Sequence, residues 1–220
     1  MDHLGTFLVL LPAAYLAGAI PFGLLVGWTR GIDVRKAGSG NIGATNVGRL
    51  LGRKYFWIVF ILDMLKGMIP SLAAGLVLGF HADDSLTYLL WLLVGFAAIF
   101  GHMFSPFLRF KGGKGVATSV GALVGVWPLY TFPALIAALV WIIVFKLTRY
   151  VSAASVVGIL SFPTAFLIIG LVQGWPIFGR LLPLLIAAWA LALLIVYKHR
   201  ANISRLLAGT ENRAGSTPQR

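Results

Sequence analysis

A glycine-rich polar segment, GSGNIGATNVGR, occupies residues 38–49. Its glycines can expose backbone N–H groups to an anion, while its Ser, Asn, Thr and Arg side chains add donors and charge. The segment therefore predicts a phosphate-binding loop, with these candidate ligands: Ser39, Gly40, Asn41, Thr45, Asn46 and Arg49. A flexible connection between helices is the alternative, but it does not account for this set of polar side chains without an acidic residue.

A second segment, GHMFSPFLRFKGGKGVAT, covers residues 101–118. Two lysines flank a glycine pair, and a further glycine leads into an apolar helix whose N-terminus would face an anion. The spacing is not that of a Walker A loop, and no strand precedes it. A basic membrane anchor would explain the lysines but not the glycines. The candidates here are His102, Lys111, Gly112, Gly113, Lys114 and Gly115, and His102 is read equally well as structural.

A third segment, YKHRANISRLL, covers residues 197–207. If its helix continues, His199 and Asn202 share a face at i, i+3, with Arg200 between them. A snorkelling basic anchor explains the Lys and Arg residues well and the His and Asn residues poorly. The segment predicts a catalytic or anion-binding cluster at a helix end.

Two smaller features leave alternatives open. Ser152 and Ser155 follow Arg149 and either cap a helix or line the same site. Asp63 and Lys66 form an i, i+3 pair inside an apolar stretch, where charges are expensive. That pair is read equally as functional or as a mutually satisfied structural pair.

Carboxylates and thiols are scarce around these segments. Asp33 and Glu211 lie at the edges of the basic segments and only Asp63 lies nearby, too few for a magnesium or two-metal site. The chain has no Cys, and no His is followed five positions later by Asp. We therefore expect a site without metal or cofactor that binds anions, positions them and stabilises charge.

The elements that carry these segments are apolar helices. Of 220 residues 59% are hydrophobic and 11% charged, and the mean hydropathy is +0.92. Several runs approach the ~20 residues that cross a bilayer. The sequence predicts an all-α polytopic membrane bundle of about seven helices, and the net charge of +12 is attributed to membrane lipids rather than nucleic acid. The predicted helices are 4–28, 55–80, 86–108, a pair within 116–145, 152–172 and 180–197.

Proline decides how the stretch 116–145 is interpreted. Pro128 and Pro133 interrupt it, so a hairpin with arms of ~14 residues is preferred to one helix, although such arms fall short of a full span.

With seven helices, all but Lys66 and Arg180 of the 18 Lys and Arg residues share one face, opposite the acidic loop HADDS at 81–85. The positive-inside rule then predicts an outside N-terminus and a cytoplasmic C-terminus.

Taken together, SGNIGATNVGR, GHMFSPFLRFKGGKGVAT and KHRANISRLLAGTENR closely resemble the three motifs of the bacterial acyl-phosphate:glycerol-3-phosphate acyltransferase family (PlsY-type). LDMLKG and RYVSAAS are also similar to that family, so the resemblance covers nearly the whole chain. It implies one transmembrane acyltransferase domain over 1–213 in a bacterial inner membrane, with a cytoplasmic active site. The low complexity of residues 214–220 predicts a disordered tail.

The resemblance also implies a reaction and roles. An acyl group would move from acyl phosphate to the 1-hydroxyl of glycerol 3-phosphate, giving lysophosphatidic acid and inorganic phosphate. The implied catalytic residues are Ser39, Lys114, His199 and Asn202. The base is either His199 or the donor phosphate. From the residues alone, a transporter of a phosphorylated anion is the main alternative and a lipid-recruiting scaffold is another; binding at one face, rather than the midplane, disfavours the transporter.

Overall fold

The computed structural model describes residues 3–80 and 85–214, with the side chains from residue 5. Residues 81–84 of the predicted acidic loop and residues 215–220 of the predicted tail lie outside the described residues. All regular elements of the described part are helical, which confirms the predicted fold class. The helices are α1 His3–Ala19, α2 Phe22–Trp28, α3 Ala44–Leu51, α4 Arg53–Val77, α5 Ser85–Met103, α6 Val116–Gly125, α7 Thr131–Thr148, α8 Val151–Val172, α9 Leu182–Lys198 and α10 Arg200–Leu207.

Within residues 3–80 and 85–214, five candidate membrane spans are long and apolar enough to cross a bilayer, or six if the bent pair α9–α10 is one span. One of the five spans, Gly5–Trp28, joins α1 and α2 across a short break. The predicted segment 4–28 is therefore confirmed as one candidate span, but its helix is interrupted at residues 20–21. Proline has no N–H and its ring clashes with the carbonyl one turn earlier, so Pro21 ends α1 and α2 restarts at Phe22.

The stretch 116–145 forms two helices, as the prolines indicated, but their lengths differ. The first arm, α6, has 10 residues and the second, α7, has 18. Pro128 lies in the turn between them, whereas Pro133 lies in the first turn of α7, where its missing N–H needs no helical partner. The predicted equal arms are wrong, because only one of the two prolines breaks the chain.

Two helical features were not predicted. The polar segment 30–54 contains α3, whose Val47 packs with Leu24 and Val59 into a small apolar cluster. Near the other end of the chain, α9 and α10 meet at His199 and bend by 58°. The helix after residue 197 therefore continues, but in a new direction.

Glycines bring helices together where the site is built. A Cβ on Gly67 of α4 would overlap the carbonyl oxygen of Thr118, and a Cβ on Gly121 of α6 would overlap that of Met64. Such small residues let the backbones of membrane helices approach closely. The short helix α6 is therefore held against α4, and its N-terminal end at Val116 is fixed relative to the bundle.

Candidate active site

The first loop, residues 34–46, is organised by one side-chain amide. The Asn46 Oδ1 atom accepts a hydrogen bond from the backbone N–H of Ser39 at 2.9 Å. Its Nδ2 group donates to the carbonyl oxygens of Val34 at 3.0 Å, Ala37 at 3.1 Å and Asn41 at 2.9 Å. Since Asn46 is only 2% exposed, its amide is committed to the loop backbone rather than open to a ligand.

The remaining polar residues of the first loop are more accessible. The Asn41 Oδ1 atom accepts from the Gly43 N–H at 2.9 Å, in the turn that opens α3. Ser39 and Gly40 are exposed and Thr45 is half-buried. One turn further on, Arg49 is the cation that α3 carries at this end of the bundle.

The second loop, residues 104–115, folds back onto the end of α5. The Gly112 N–H donates to the Met103 carbonyl at 3.2 Å, and the Gly113 N–H donates to the His102 carbonyl at 3.1 Å. Gly115, in the left-handed region at φ +84°, then opens α6. Lys111 is exposed, whereas Lys114 is half-buried.

The third segment contributes two buried polar side chains at the bend between α9 and α10. His199 is 2% exposed, and its Nδ1 atom lies 2.8 Å from the Ile195 carbonyl oxygen. A carbonyl oxygen only accepts, so Nδ1 carries the hydrogen and the Nε2 of a neutral ring keeps its lone pair. His199 is thus oriented as a residue that can accept a proton.

The segments meet through side-chain contacts. Lys114 Nζ donates to the Asn202 Oδ1 at 2.5 Å, and the Asn202 Nδ2 donates to Glu211 Oε1 at 2.6 Å. From α3, the Arg49 guanidinium reaches the carbonyl oxygen of Asn212 at 3.4 Å. Each predicted motif therefore supplies one residue to a single cluster. These residues are Arg49, Lys114 and Asn202, which meet at residues 211–212.

Glu211 is the centre of this cluster. Besides Asn202, it accepts hydrogen bonds from Ser152 Oγ and Arg205 Nε, both at 2.8 Å. Burial acts to raise the pKa of Glu211, but the bonds from Asn202, Ser152 and Arg205 outweigh it and hold that pKa below its usual range. Burial lowers the pKa of Lys114 to about 8, against the opposing charge of Glu211. Lys114 is thus an ammonium group at neutral pH that loses its proton in mild alkali.

Glu211 was expected only as an acid at the edge of the basic segments, and its central position was not predicted. The available signal was its isolation, since it is the only carboxylate in the basic stretch 197–213. A lone acid among cations is a natural partner for several of them.

Other predicted residues lie apart from the cluster. Ser155 Oγ donates to the Val151 carbonyl at 2.8 Å and accepts from Trp141 Nε1 at 3.2 Å, so it joins α7 to α8. The exposed guanidinium of Arg200 packs over the Tyr197 ring, 4.5 Å from its centroid. The His102 ring is 4% exposed and lies beside Asp63 and Gly113.

A family model described as glycerol-3-phosphate acyltransferase matches residues 8–209. The chain belongs to the glycerol-3-phosphate acyltransferase family. The relative from Aquifex aeolicus is 46% identical over 209 residues, covering 94% of this chain and 97% of that protein. The relative from Desulforamulus reducens is 41% identical, covering 98% of each. Both relatives are named glycerol-3-phosphate acyltransferase.

Solved structures of the same family share the fold. The glycerol 3-phosphate form of PlsY (YgiH), an integral membrane glycerol 3-phosphate acyltransferase, superposes with a TM-score of 0.81 at 42% identity, covering 96% of each chain. Its lysophosphatidic acid form superposes with a TM-score of 0.80 at 41% identity, again covering 96% of each. This member of the glycerol-3-phosphate acyltransferase family is accordingly an integral membrane protein, which confirms the resemblance found in the motifs.

Proposed function

We propose that this acyltransferase moves a fatty acyl group from acyl phosphate to the 1-hydroxyl of glycerol 3-phosphate. The products are lysophosphatidic acid and inorganic phosphate. The observation that carries the proposal is the contact between Lys114 and Asn202, next to Arg49 and His199, which gathers donors and cations for two phosphates. The solved relatives with glycerol 3-phosphate and lysophosphatidic acid support the same substrate and product for this chain.

The proposed setting is the cytoplasmic face of a bacterial inner membrane. We propose that residues 1–213 form one domain with seven passes through or into the bilayer, of which α6 is a partial one. The cationic ends of the helices support a cytoplasmic C-terminus and an outside N-terminus by the positive-inside rule. Membrane lipids then surround the bundle, and the acyl chain of the donor reaches the site from the bilayer.

We propose that the first loop holds glycerol 3-phosphate. Ser39, Asn41 and Arg49 supply donors and charge, with Gly40 and Thr45 beside them and Lys111 at the entrance. Asn46 keeps this loop in shape without contacting substrate, a narrower role than the sequence suggested, because its amide is already bonded to four backbone groups.

The acyl phosphate is proposed to lie across the second loop. The N–H groups at the start of α6, opened by Gly115, and the Lys114 ammonium would bind its phosphate. Asn202 and His199 would lie beside the acyl carbonyl. Ser155 and Arg200, also predicted as ligands, are proposed only as residues that border this region.

In the proposed step, the 1-hydroxyl oxygen attacks the acyl carbonyl carbon while the bond from that carbon to the phosphate oxygen breaks. Phosphate leaves with the bonding electrons, and the hydroxyl proton passes to His199 Nε2 or to the phosphate itself. Acyl phosphate is a mixed anhydride, so no covalent enzyme intermediate is needed. Lys114 stabilises the charge that develops on the departing phosphate.

Purified protein in detergent tests the donor. Labelled glycerol 3-phosphate is offered with acyl phosphate, acyl-CoA or acyl carrier protein. We expect lysophosphatidic acid and an equal amount of phosphate from the first donor alone, and none with a Lys114→Met variant. Product from acyl-CoA instead of acyl phosphate would overturn the proposed donor.

A second assay separates the two proton acceptors. General bases typically contribute ~10²–10⁴-fold to kcat. A His199→Gln loss above that lower limit, with the protein still folded, assigns the proton to His199. A smaller loss assigns it to the phosphate of the donor.

A further inference from the structure

Three ionisable side chains of α4 and α5 lie buried beside one another. Lys66 Nζ is 2.8 Å from Asp63 Oδ1, and both side chains are 3% exposed. His102 Nδ1 lies 3.7 Å from the same carboxylate oxygen. Burying charged groups inside an apolar bundle costs free energy, and such groups usually have a function. None of the three takes part in the acyl transfer proposed above.

Lys66 ties this buried cluster to the break between α1 and α2. Its Nζ atom donates to the Ile20 carbonyl at 2.8 Å, where Pro21 has ended the helix, and lies 5.6 Å from the centroid of the Phe22 ring. The start of the second loop is bonded to the same region, because Ser105 Oγ donates to the Ala19 carbonyl at 2.7 Å. The buried cluster therefore lies between the helix break and the start of the second loop.

His102 connects the buried cluster to the second loop. Its carbonyl oxygen accepts from the Gly113 N–H, and its ring lies directly against the Gly113 Cα. A Cβ on Gly113 would overlap His102 Nε2 and lie 2.9 Å from Cε1. The ring therefore has Asp63 on its Nδ1 side and Gly113 on its Nε2 side.

We propose that His102 is a positioning residue: its ring, which lies beside the Asp63 carboxylate, is the surface on which the Gly113 backbone rests. Through that contact it sets the position of Lys114 and of the α6 N-terminus relative to Asn202. This inference rests on the proposed function, since Lys114 is taken to bind the acyl phosphate. It replaces the earlier prediction that His102 itself binds substrate.

Two adjacent glycines supply a matched test, because each excludes a methyl group for a different reason. At Gly113 the obstacle is the His102 ring, a side chain that mutation can remove. At Gly112 a Cβ would overlap the His102 carbonyl oxygen and lie 2.9 Å from the Met103 carbonyl. Backbone atoms stay in place when His102 is truncated, so only the Gly113 clash can be relieved.

The experiment measures kcat and KM for both substrates in Gly113→Ala, Gly112→Ala and His102→Ala, and in the two double variants. We expect Gly113→Ala to lower kcat/KM for acyl phosphate ~10²-fold, the cost of misplacing a reacting group by ~1 Å. His102→Ala loses ~10-fold, and the His102→Ala/Gly113→Ala pair stays near that level, since coupled neighbours are not additive. The Gly112→Ala loss is the same with or without His102.

A positioning role also predicts which Michaelis constant moves. In His102→Ala the KM for acyl phosphate rises while the KM for glycerol 3-phosphate is unchanged; a defect of the whole bundle would move both. His102→Asn replaces His102→Ala if the latter does not fold. Equal rescue of Gly112→Ala and Gly113→Ala, or rescue of neither, overturns the inference. If the wild type uses another donor, the proposed donor is wrong, and the same variants measured with that donor still test the role of His102.

Discussion

The two glycine-rich loops of the candidate active site are held in different ways. The first loop folds around its own Asn46, whose amide bonds to groups between Val34 and Asn41. The second loop has no such central side chain, and Gly112 and Gly113 bond instead to the end of α5. It rests on His102 and, through it, on the buried charges of α4. The first loop is therefore shaped by one of its own side chains, and the second by the end of the preceding helix and the α4 charges behind it.

This difference predicts how each loop responds to change. A locally shaped loop can fail while the bundle remains intact, so its loss affects one substrate. The second loop contacts residues that are packed against buried charges. A mutation of those charged residues should therefore also lower the free energy of unfolding. Mutations of Asn46, which shapes the first loop, and of Asp63, behind the second loop, should therefore separate effects on stability from effects on substrate binding.

The largest expected effect is on stability, from Asp63→Asn. Lys66 would remain buried without its carboxylate, and removing one partner of a buried ion pair costs about 3–5 kcal/mol. Unfolding temperature in detergent measures this loss. Asp33→Asn is the control, because its ion pair with Arg35 is partly exposed, with side-chain exposures of 21% and 45%, and should change nothing measurable. Equal behaviour of the two variants would contradict the distinction.

Asn46→Ala tests the locally held loop. It leaves the Ser39 N–H and three carbonyl groups without their partner, at about 2–3 kcal/mol after water replaces some of the bonds. We expect the KM for glycerol 3-phosphate to rise and the KM for acyl phosphate to stay constant. Asn46→Asp should do nearly as much damage, because a carboxylate accepts from Ser39 but would repel the three carbonyl oxygens. A change in both KM values would show that the loops are not independent.

The same contrast explains what the sequence predicted. The apolar blocks predicted the helices well, since a chain in lipid must satisfy its backbone hydrogen bonds within each segment. The polar composition of the first loop predicted an anion site, and its internal bonds come from neighbours in sequence. Helix α3 was missed because its few apolar residues, such as Val47, lie among the polar ones that suggested a loop.

Features that depend on distant contacts were not predictable in this way. The bend at His199 contains no proline or glycine, and it occurs where Asn202 and Glu211 come together. Glu211 accepts a hydrogen bond from Ser152 of α8, a residue distant from it in sequence. Likewise, nothing adjacent to Gly113 in sequence indicates that the His102 ring lies against it.

An intermediate effect concerns pH. The pKa of Lys114 is lowered to about 8 by burial, so the ammonium is present below that pH and lost above it. We expect the KM for acyl phosphate to rise about tenfold per pH unit above 8. The KM for glycerol 3-phosphate, assigned to Arg49, should stay flat because a guanidinium keeps its charge. Lys114→Arg should abolish the alkaline rise; its persistence in that variant would assign the titration elsewhere.

The smallest effects come from two serines of α8. Ser152 donates to Glu211, which in turn holds Asn202 beside Lys114, so Ser152→Ala should cost about 1 kcal/mol and raise the KM for acyl phosphate several-fold. Ser155 bonds only to Val151 and Trp141 among the described residues, within the α7–α8 contact. Ser155→Ala should therefore leave both KM values unchanged, although the two positions are one helical turn apart. Steady-state kinetics on the pair measures whether support for the second loop extends through Glu211; a larger effect at Ser155 would mean that substrate contacts α8 directly.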